Sequence, residues 1–239
     1  MSGSMTAGLS ESLEKEGFVW FRGLLDEQSC CVMEETCDSD VSPGSRAAPN
    51  SSFARCISAD HALNTAAERL GYSPAPVRIL SFVKSDSMNW ALPWHQDRVV
   101  ALADKADVEG YSNWAKKDGV WHCEPPVEIL EKMIFARIHL DPADAANGCL
   151  EIAPGTHELG VIPADEASKI AAEADTRYCA AERGDVLFVK ALTLHRSSAS
   201  ETANPRRAVR VDYASAGLPD PLKWAFQHTR VFGDSVVSE

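Results

Sequence analysis

In the run "WALPWHQDRVV", His95 and Asp97 stand two residues apart. On a β-strand, residues i and i+2 project from the same face. An imidazole and a carboxylate at this spacing converge on one point. Two side chains supply only two corners of a metal site, so a third ligand is needed. The best candidate is His195 in "VKALTLHRSS", at the end of a strand-like segment far downstream. Two histidines and one carboxylate on one side of a metal form the set used by non-haem Fe(II) oxygenases. Three coordination positions then stay open, enough for a bidentate 2-oxo acid and O₂. On spacing alone a hydrogen-bonded strand end is the stronger reading of H-x-D. The remaining histidines look structural. His61 opens a helical pattern, His139 and His157 lie in "RIHLD" and "PGTH", and His228 falls in tail sequence. His122 sits on a long insertion and is the one among them worth following.

These side chains need a rigid frame. Residues 8–71 read as a largely helical part: a helix N-capped by Ser10 and stopped by Gly17, a strand over 18–25, a helix over 26–37, loop over 38–54, and a helix over 60–71. Short strand patterns follow at 77–84, 133–141, 149–154, 177–182, 185–192 and 206–214, punctuated by turns at Asn147-Gly148, Pro154-Gly155 and Arg183-Gly184. "DAANG" reads as a hairpin turn between two strands. Residues 98–130 form a long polar insertion with a short helix at 126–133, the pattern of an active-site lid. A surface helix is expected over 164–174. Trp90, Trp94, Trp114 and Trp121 are expected around the mouth of the site. Helices first and many short strands after imply a mainly β fold with flanking helices, a sandwich or closed jelly roll.

Composition narrows the function classes. A chain of 239 residues suits a single domain over 1–239 with a jelly-roll core at about 77–214. Its net charge of −12 disfavours nucleic acid and anionic membranes as partners. The seven cysteines fit no disulfide framework, and residues 1–9 show no secretory leader, so a cytoplasmic setting is expected.

The ordered context of the candidate ligands resembles the phytanoyl-CoA dioxygenase family. The resemblance rests on "WHQD" (94–97), "RIHLDPADAANGCLEIAPGTHELG" (137–160), "GDVLFVKALTLHRSS" (184–198) and "RRAVRVDY" (206–213), with a weaker match at "GFVWFRGLLDEQ" (17–28). It implies a double-stranded β-helix (cupin-like jelly roll) that uses Fe(II), 2-oxoglutarate and O₂. It implies His95, Asp97 and His195 as the iron ligands. Arg206, eleven residues after His195, corresponds to the arginine for the distal carboxylate of 2-oxoglutarate, and Ser197 to its hydroxyl partner. Lys84 is a looser candidate for the same carboxylate. Arg207 competes with Arg206, because strand alternation sets it on the face of Val209 and Val211; small Ala208 beside Arg206 favours Arg206. Arg210 reads as a structural ion-pair partner, and Gln96 should point away from the metal. Retention of Asp97 argues for hydroxylation, desaturation or ring formation over halogenation. The substrate implied is small, a secondary metabolite or an amino-acid-like molecule, and the negative net charge gives no support to a CoA thioester. Two alternatives stay open on sequence: a jelly-roll metal isomerase or hydrolase, and a non-catalytic binding protein.

Overall fold

Strands buried on both faces need cover on both sides, and the architecture follows from that. The computed structural model describes residues 2–37, 44–85, 88–202 and 205–226. Helix α1 (Ser2–Glu16), strand β1 (Phe18–Phe21) and helix α2 (Glu27–Thr36) come first. Strand β2 (Ser45–Arg46) and helices α3 (Ser52–Ala59) and α4 (His61–Arg69) follow. Next are β3 (Arg78–Lys84) and β4 (Leu92–His95), then β5 (Val100–Leu102), β6 (Ser112–Lys117), β7 (Val120–Glu124) and α5 (Val127–Leu130). The chain continues with β8 (Met133–His139), β9 (Leu150–Ile152), a 3₁₀ turn (Thr156–Leu159) and α6 (Ala167–Glu173). It closes with β10 (Arg177–Tyr178), β11 (Val186–Lys190), β12 (His195–Ser197) and β13 (Arg206–Ala214).

The strands form a six-stranded sheet in the order β1-β11-β8-β13-β3-β2 and a four-stranded sheet in the order β10-β9-β12-β4, both antiparallel. Along β8 and β13 side chains alternate between an apolar outer face and an inner face that mixes Phe135 with charged residues. Ile134, Ala136, Ile138, Val209, Val211 and Tyr213 pack outward against Leu13, Met33, Ile57 and Leu63 of the helices. Phe135 of β8 turns inward with Leu187 and Val189 to meet Leu150 and Ile152 of the smaller sheet. Two facing sheets with helices on one outer surface make the jelly roll read from the sequence. No described helix is long and apolar enough to cross a membrane.

Several local expectations needed correction. Ser10 is no N-cap: α1 begins at Ser2, and Ser10 lies inside it. Gly17 does end that helix, at φ +79° with its N–H donated to the Leu13 carbonyl. The first strand stops at Phe21, short of 25. The expected loop over 38–54 contains β2 and the start of α3, which Ser51 caps; 38–43 lie outside the described residues, as does His228. "DAANG" joins two sheets and not a hairpin, since β8 and β9 pair with other strands. The turn is built locally: Asp144 and Asn147 each accept the other's backbone N–H, and Gly148 takes φ +73°. The 98–130 insertion folds into a third sheet, β5-β7-β6, whose Val100, Leu102 and Cys123 are fully buried with Leu130 and Leu192. Arg98, Lys117 and His122 of this insertion line a cavity together with His95, Asp97 and His195.

Candidate metal centre

Strands β12 and β4 lie side by side with His195 directly opposite His95. Asp97 falls two residues beyond the end of β4, where its N–H is donated to the Ala191 carbonyl. The result is the expected convergence. One ligand atom from each of His95, Asp97 and His195 can be chosen so that all three lie within 4.8 Å of one another. The two imidazole rings are 4.3 Å apart, and His195 Nε2 is 3.2 Å from Asp97 Oδ2.

Both rings are oriented by the same device. His95 Nδ1 lies 2.8 Å from the Pro93 carbonyl and His195 Nδ1 lies 2.9 Å from the Thr193 carbonyl. A carbonyl only accepts, so each Nδ1 carries the proton and each Nε2 keeps its lone pair for the cluster. Phe135 covers His195 at 5.3 Å. Burial first, then His195, pushes His95 down to about 4, which keeps it neutral. Burial alone would raise Asp97, but Arg210 and His195 outweigh it and hold the carboxyl well below its usual range. Arg210 reaches Asp97 Oδ2 at 2.5 Å, as an ion pair and not an aligned hydrogen bond. Gln96 points the other way, as expected. Its amide donates to the Gly160 and Leu192 carbonyls and accepts from the Ile162 N–H. Two imidazoles that turn Nε2 to the cluster and an ionised carboxylate, all aimed at one point, fit a divalent transition metal.

The cavity beside this cluster measures about 360 Å³ and is lined by Lys84, Ser197 and Arg206 as well as the three metal candidates. Arg206 is opposite Lys84 in the β13·β3 register. It is only 3% exposed, and its Nε and Nη1 have no partner among the described residues. A buried guanidinium without an acceptor is costly, so an anion of the kind 2-oxoglutarate carries fits here. Lys84 is fully buried, lies 3.5 Å from Ser197 Oγ and donates to the Ser198 carbonyl. Burial, then Arg206 and Arg137, push Lys84 down to about 8. Arg207 has a different task. On the opposite face of β13 it clamps Asp141 through two bonds of 2.8 and 2.7 Å and reaches Glu34 at 3.0 Å.

Other expectations scatter. Of the four tryptophans only Trp90 lines the cavity. Trp114 and Trp121 pack edge to face beneath the third sheet, and Trp94 packs near α6 under Arg196. His122 lines the cavity but is not in the triad; burial pushes it down to about 4. His139 is buried behind Ala208, and His157 sits under the Glu14 carbonyl. Sequence reasoning missed Arg46, Arg78 and Arg137, which also line the cavity. For Arg78 and Arg137 the available signal was a charged residue on an otherwise largely apolar strand; the two-residue β2 offered none for Arg46.

The family model for phytanoyl-CoA dioxygenase matches residues 13–208. Over 93 residues the chain is 33% identical to a methylphosphonate hydroxylase of Gimesia maris, a match spanning 37% of this chain and 36% of that relative. Solved structures share the fold. AviO1 from Streptomyces viridochromogenes Tue57 superposes with a TM-score of 0.64 at 19% identity, covering 90% of this chain and 96% of its own. The epimerase SnoN of nogalamycin biosynthesis, in complex with Fe³⁺ and α-ketoglutarate, gives 0.68 at 16%, covering 97% and 93%. EctD from S. alaskensis with 2-oxoglutarate and 5-hydroxyectoine gives 0.65 at 16%, covering 87% and 76%. With its match running through both the H-Q-D segment and the distal histidine, the chain belongs to the phytanoyl-CoA dioxygenase family of Fe(II)- and 2-oxoglutarate-dependent oxygenases.

Proposed function

We propose that this chain hydroxylates a C–H bond of a small organic molecule, using Fe(II), 2-oxoglutarate and O₂. The observation that carries this is one cavity that joins the His95–Asp97–His195 cluster to the unpartnered Arg206. In this reading the three cluster residues hold the metal, and Arg206, Lys84 and Ser197 receive the distal carboxylate of 2-oxoglutarate. When bound, Fe(II) with O₂ supplies the oxidising power that breaks the C–H bond, so that R–H, O₂ and 2-oxoglutarate become R–OH, succinate and CO₂. The chain's own residues bind, orient and shield. The Pro93 and Thr193 carbonyls fix the two imidazole tautomers. Arg210 keeps Asp97 ionised and turned inward. Phe135 and Leu150 line the cavity with apolar surface that keeps water from the reacting bond. Arg206 gives the co-substrate a fixed orientation through a planar, bidentate guanidinium.

The partial likeness to a methylphosphonate hydroxylase supports hydroxylation of a small molecule. The test is anaerobic loading with Fe(II) and 2-oxoglutarate, followed by air and measurement of succinate. Succinate should form slowly without substrate and faster with it. Asp97→Ala should lose both bound iron and succinate formation. No iron binding by the wild-type chain, or unchanged turnover in Asp97→Ala, would remove this function.

A further inference from the structure

The cavity is far more basic than the chain. The protein carries −12 overall, yet eight arginine and lysine side chains line the cavity against one carboxylate, Asp97. Three of the eight have strong internal partners. Arg78 bonds Asp212 at 2.7 Å, Arg210 bonds both Asp212 and Asp97, and Arg98 lies 3.2 Å from Glu124. Arg206 and Lys84 are accounted for by the co-substrate if the proposed function holds, a reading on which this inference rests. Arg46, Lys117 and Arg137 remain.

Arg137 is the telling one. It is 7% exposed, its Nε is buried without a partner, and none of the ion pairs among the described residues involves it. The register makes its position worse. Arg137 stands directly opposite Arg210, and a like-charge pair across a ladder is destabilising. Its nearest compensation is the face of Phe82, at 4.7 Å. The same row continues across the sheet. Arg210 is opposite Leu80, and Leu80 is opposite Arg46. Arg137 and Arg46 therefore flank one row, separated by three strand spacings or about 14 Å. Two arginines over that span can close on one small group above Leu80. Arg46 also holds a buried, unpartnered Nε, and its contact with the exposed Asp118 is a loose 3.5 Å. The backbone of the Arg206–Lys84 pair lies four residues further along the strands, about 13 Å away, although the Arg137 guanidinium leans over Phe82 toward it and helps lower Lys84.

We propose that the substrate is a small organic anion, and that Arg137 and Arg46 receive its anionic group in the row above Leu80. The chemistry shared by phosphonate, sulfonate and carboxylate satisfies both guanidiniums. The anion offsets the charge that the fold leaves uncompensated. A cavity of about 360 Å³ is small for a ligand site, which limits the organic part to a few heavy atoms beyond the co-substrate.

The experiment uses the full chain loaded with Mn(II), which does not turn over, and 2-oxoglutarate. Calorimetric titrations follow with methylphosphonate, methanesulfonate and acetate, and with dimethyl methylphosphonate as the neutral control. At least one anion should bind, and the neutral ester should not. Arg137→Gln and Arg46→Gln should each weaken that anion at least about 30-fold, while the 2-oxoglutarate Kd moves by less than about threefold. Arg137→Lys should recover part of the loss. Thermal melting of the metal-free variants controls for folding, and Arg137→Gln should melt no lower than wild type because it removes an unpaired buried charge. The proposal is overturned if no anion binds, if the ester binds as well as its parent anion, or if neither variant affects anion binding. It is also overturned if Arg137→Gln raises the 2-oxoglutarate Kd as Arg206→Gln does, since Arg137 then serves the co-substrate. Failure of the wild-type chain to bind 2-oxoglutarate at all is seen before any anion is added; it removes the oxygenase reading and this inference with it.

Discussion

Replacing Arg206 by Gln should uncouple binding from stability. Arg206 offers two buried donors, Nε and Nη1, that no group among the described residues accepts. A hydrogen bond between charged groups contributes about 1.5 kcal/mol at the low end. Two of them give about 3 kcal/mol, or about 150-fold in Kd. The low end is the right one because Lys84 and Ser197 stay behind to hold part of the carboxylate. Gln keeps most of the side-chain volume, so packing against small Ala208 survives. Removing a desolvated, unpaired cation should leave the metal-free chain at least as stable as wild type. Arg207→Gln should do the reverse. It breaks a half-exposed clamp on Asp141, costing up to about 1 kcal/mol of stability, and leaves co-substrate binding alone. The assay is calorimetric titration of 2-oxoglutarate into Mn(II)-loaded protein, paired with urea unfolding of the metal-free variants. A Kd for Arg206→Gln within about threefold of wild type, or a larger effect from Arg207→Gln, would refute the assignment.

Arg210→Gln leaves Asp97 without its buried cation, while Asp212 keeps Arg78, so it should cost about 3 kcal/mol in urea unfolding and weaken metal affinity 10- to 100-fold by calorimetry, about the effect of losing a group that orients a ligand. Gly148→Ala places a Cβ against the Ser198 carbonyl and the Lys84 ammonium at φ +73°, and should cost about 1–3 kcal/mol in the same unfolding assay while weakening 2-oxoglutarate. The pH dependence of co-substrate binding follows from Lys84. Its pKa of about 8 means that the free protein loses this charge as pH rises through 8, whereas the bound carboxylate favours the ammonium. Binding above pH 8 must then take up a proton, so the 2-oxoglutarate Kd should be flat below 8 and rise toward about tenfold per pH unit above it. Lys84→Met should flatten that profile in titrations across pH 6–10.

The metal candidates were legible because their geometry is local or ends at a strand. The i, i+2 spacing of His95 and Asp97 survives even though β4 stops at His95. Arg206 could be separated from Arg207 because alternation along β13 sends one to the cavity and the other to Asp141. The outer face of β8 was equally readable from Ile134, Ala136 and Ile138. What escaped depends on register between strands distant in sequence. Arg46 and Arg137 lie on strands far apart in sequence, and only cross-strand pairing through Arg210 and Leu80 sets them on one row. Net charge hid them further, since the acidic groups lie elsewhere on the chain. The hairpin at "DAANG" failed because a turn sequence specifies its own hydrogen bonds but not the sheet its next strand joins. The third sheet failed because its strands are short and polar on one side.

Gln96, wedged between two candidate ligands, ties Gly160, Leu192 and Ile162 together by three hydrogen bonds. Those bonds involve neither candidate ligand, so they restrict the backbone between His95 and Asp97 and lower the conformational entropy that metal capture must remove. Two imidazoles and a carboxylate held in this way discriminate weakly among late first-row ions, whose affinities follow the Irving–Williams order. The ion carried by the protein is therefore set by supply, and Ni(II), Co(II) or Zn(II) in a growth medium would displace iron and silence the enzyme without unfolding it.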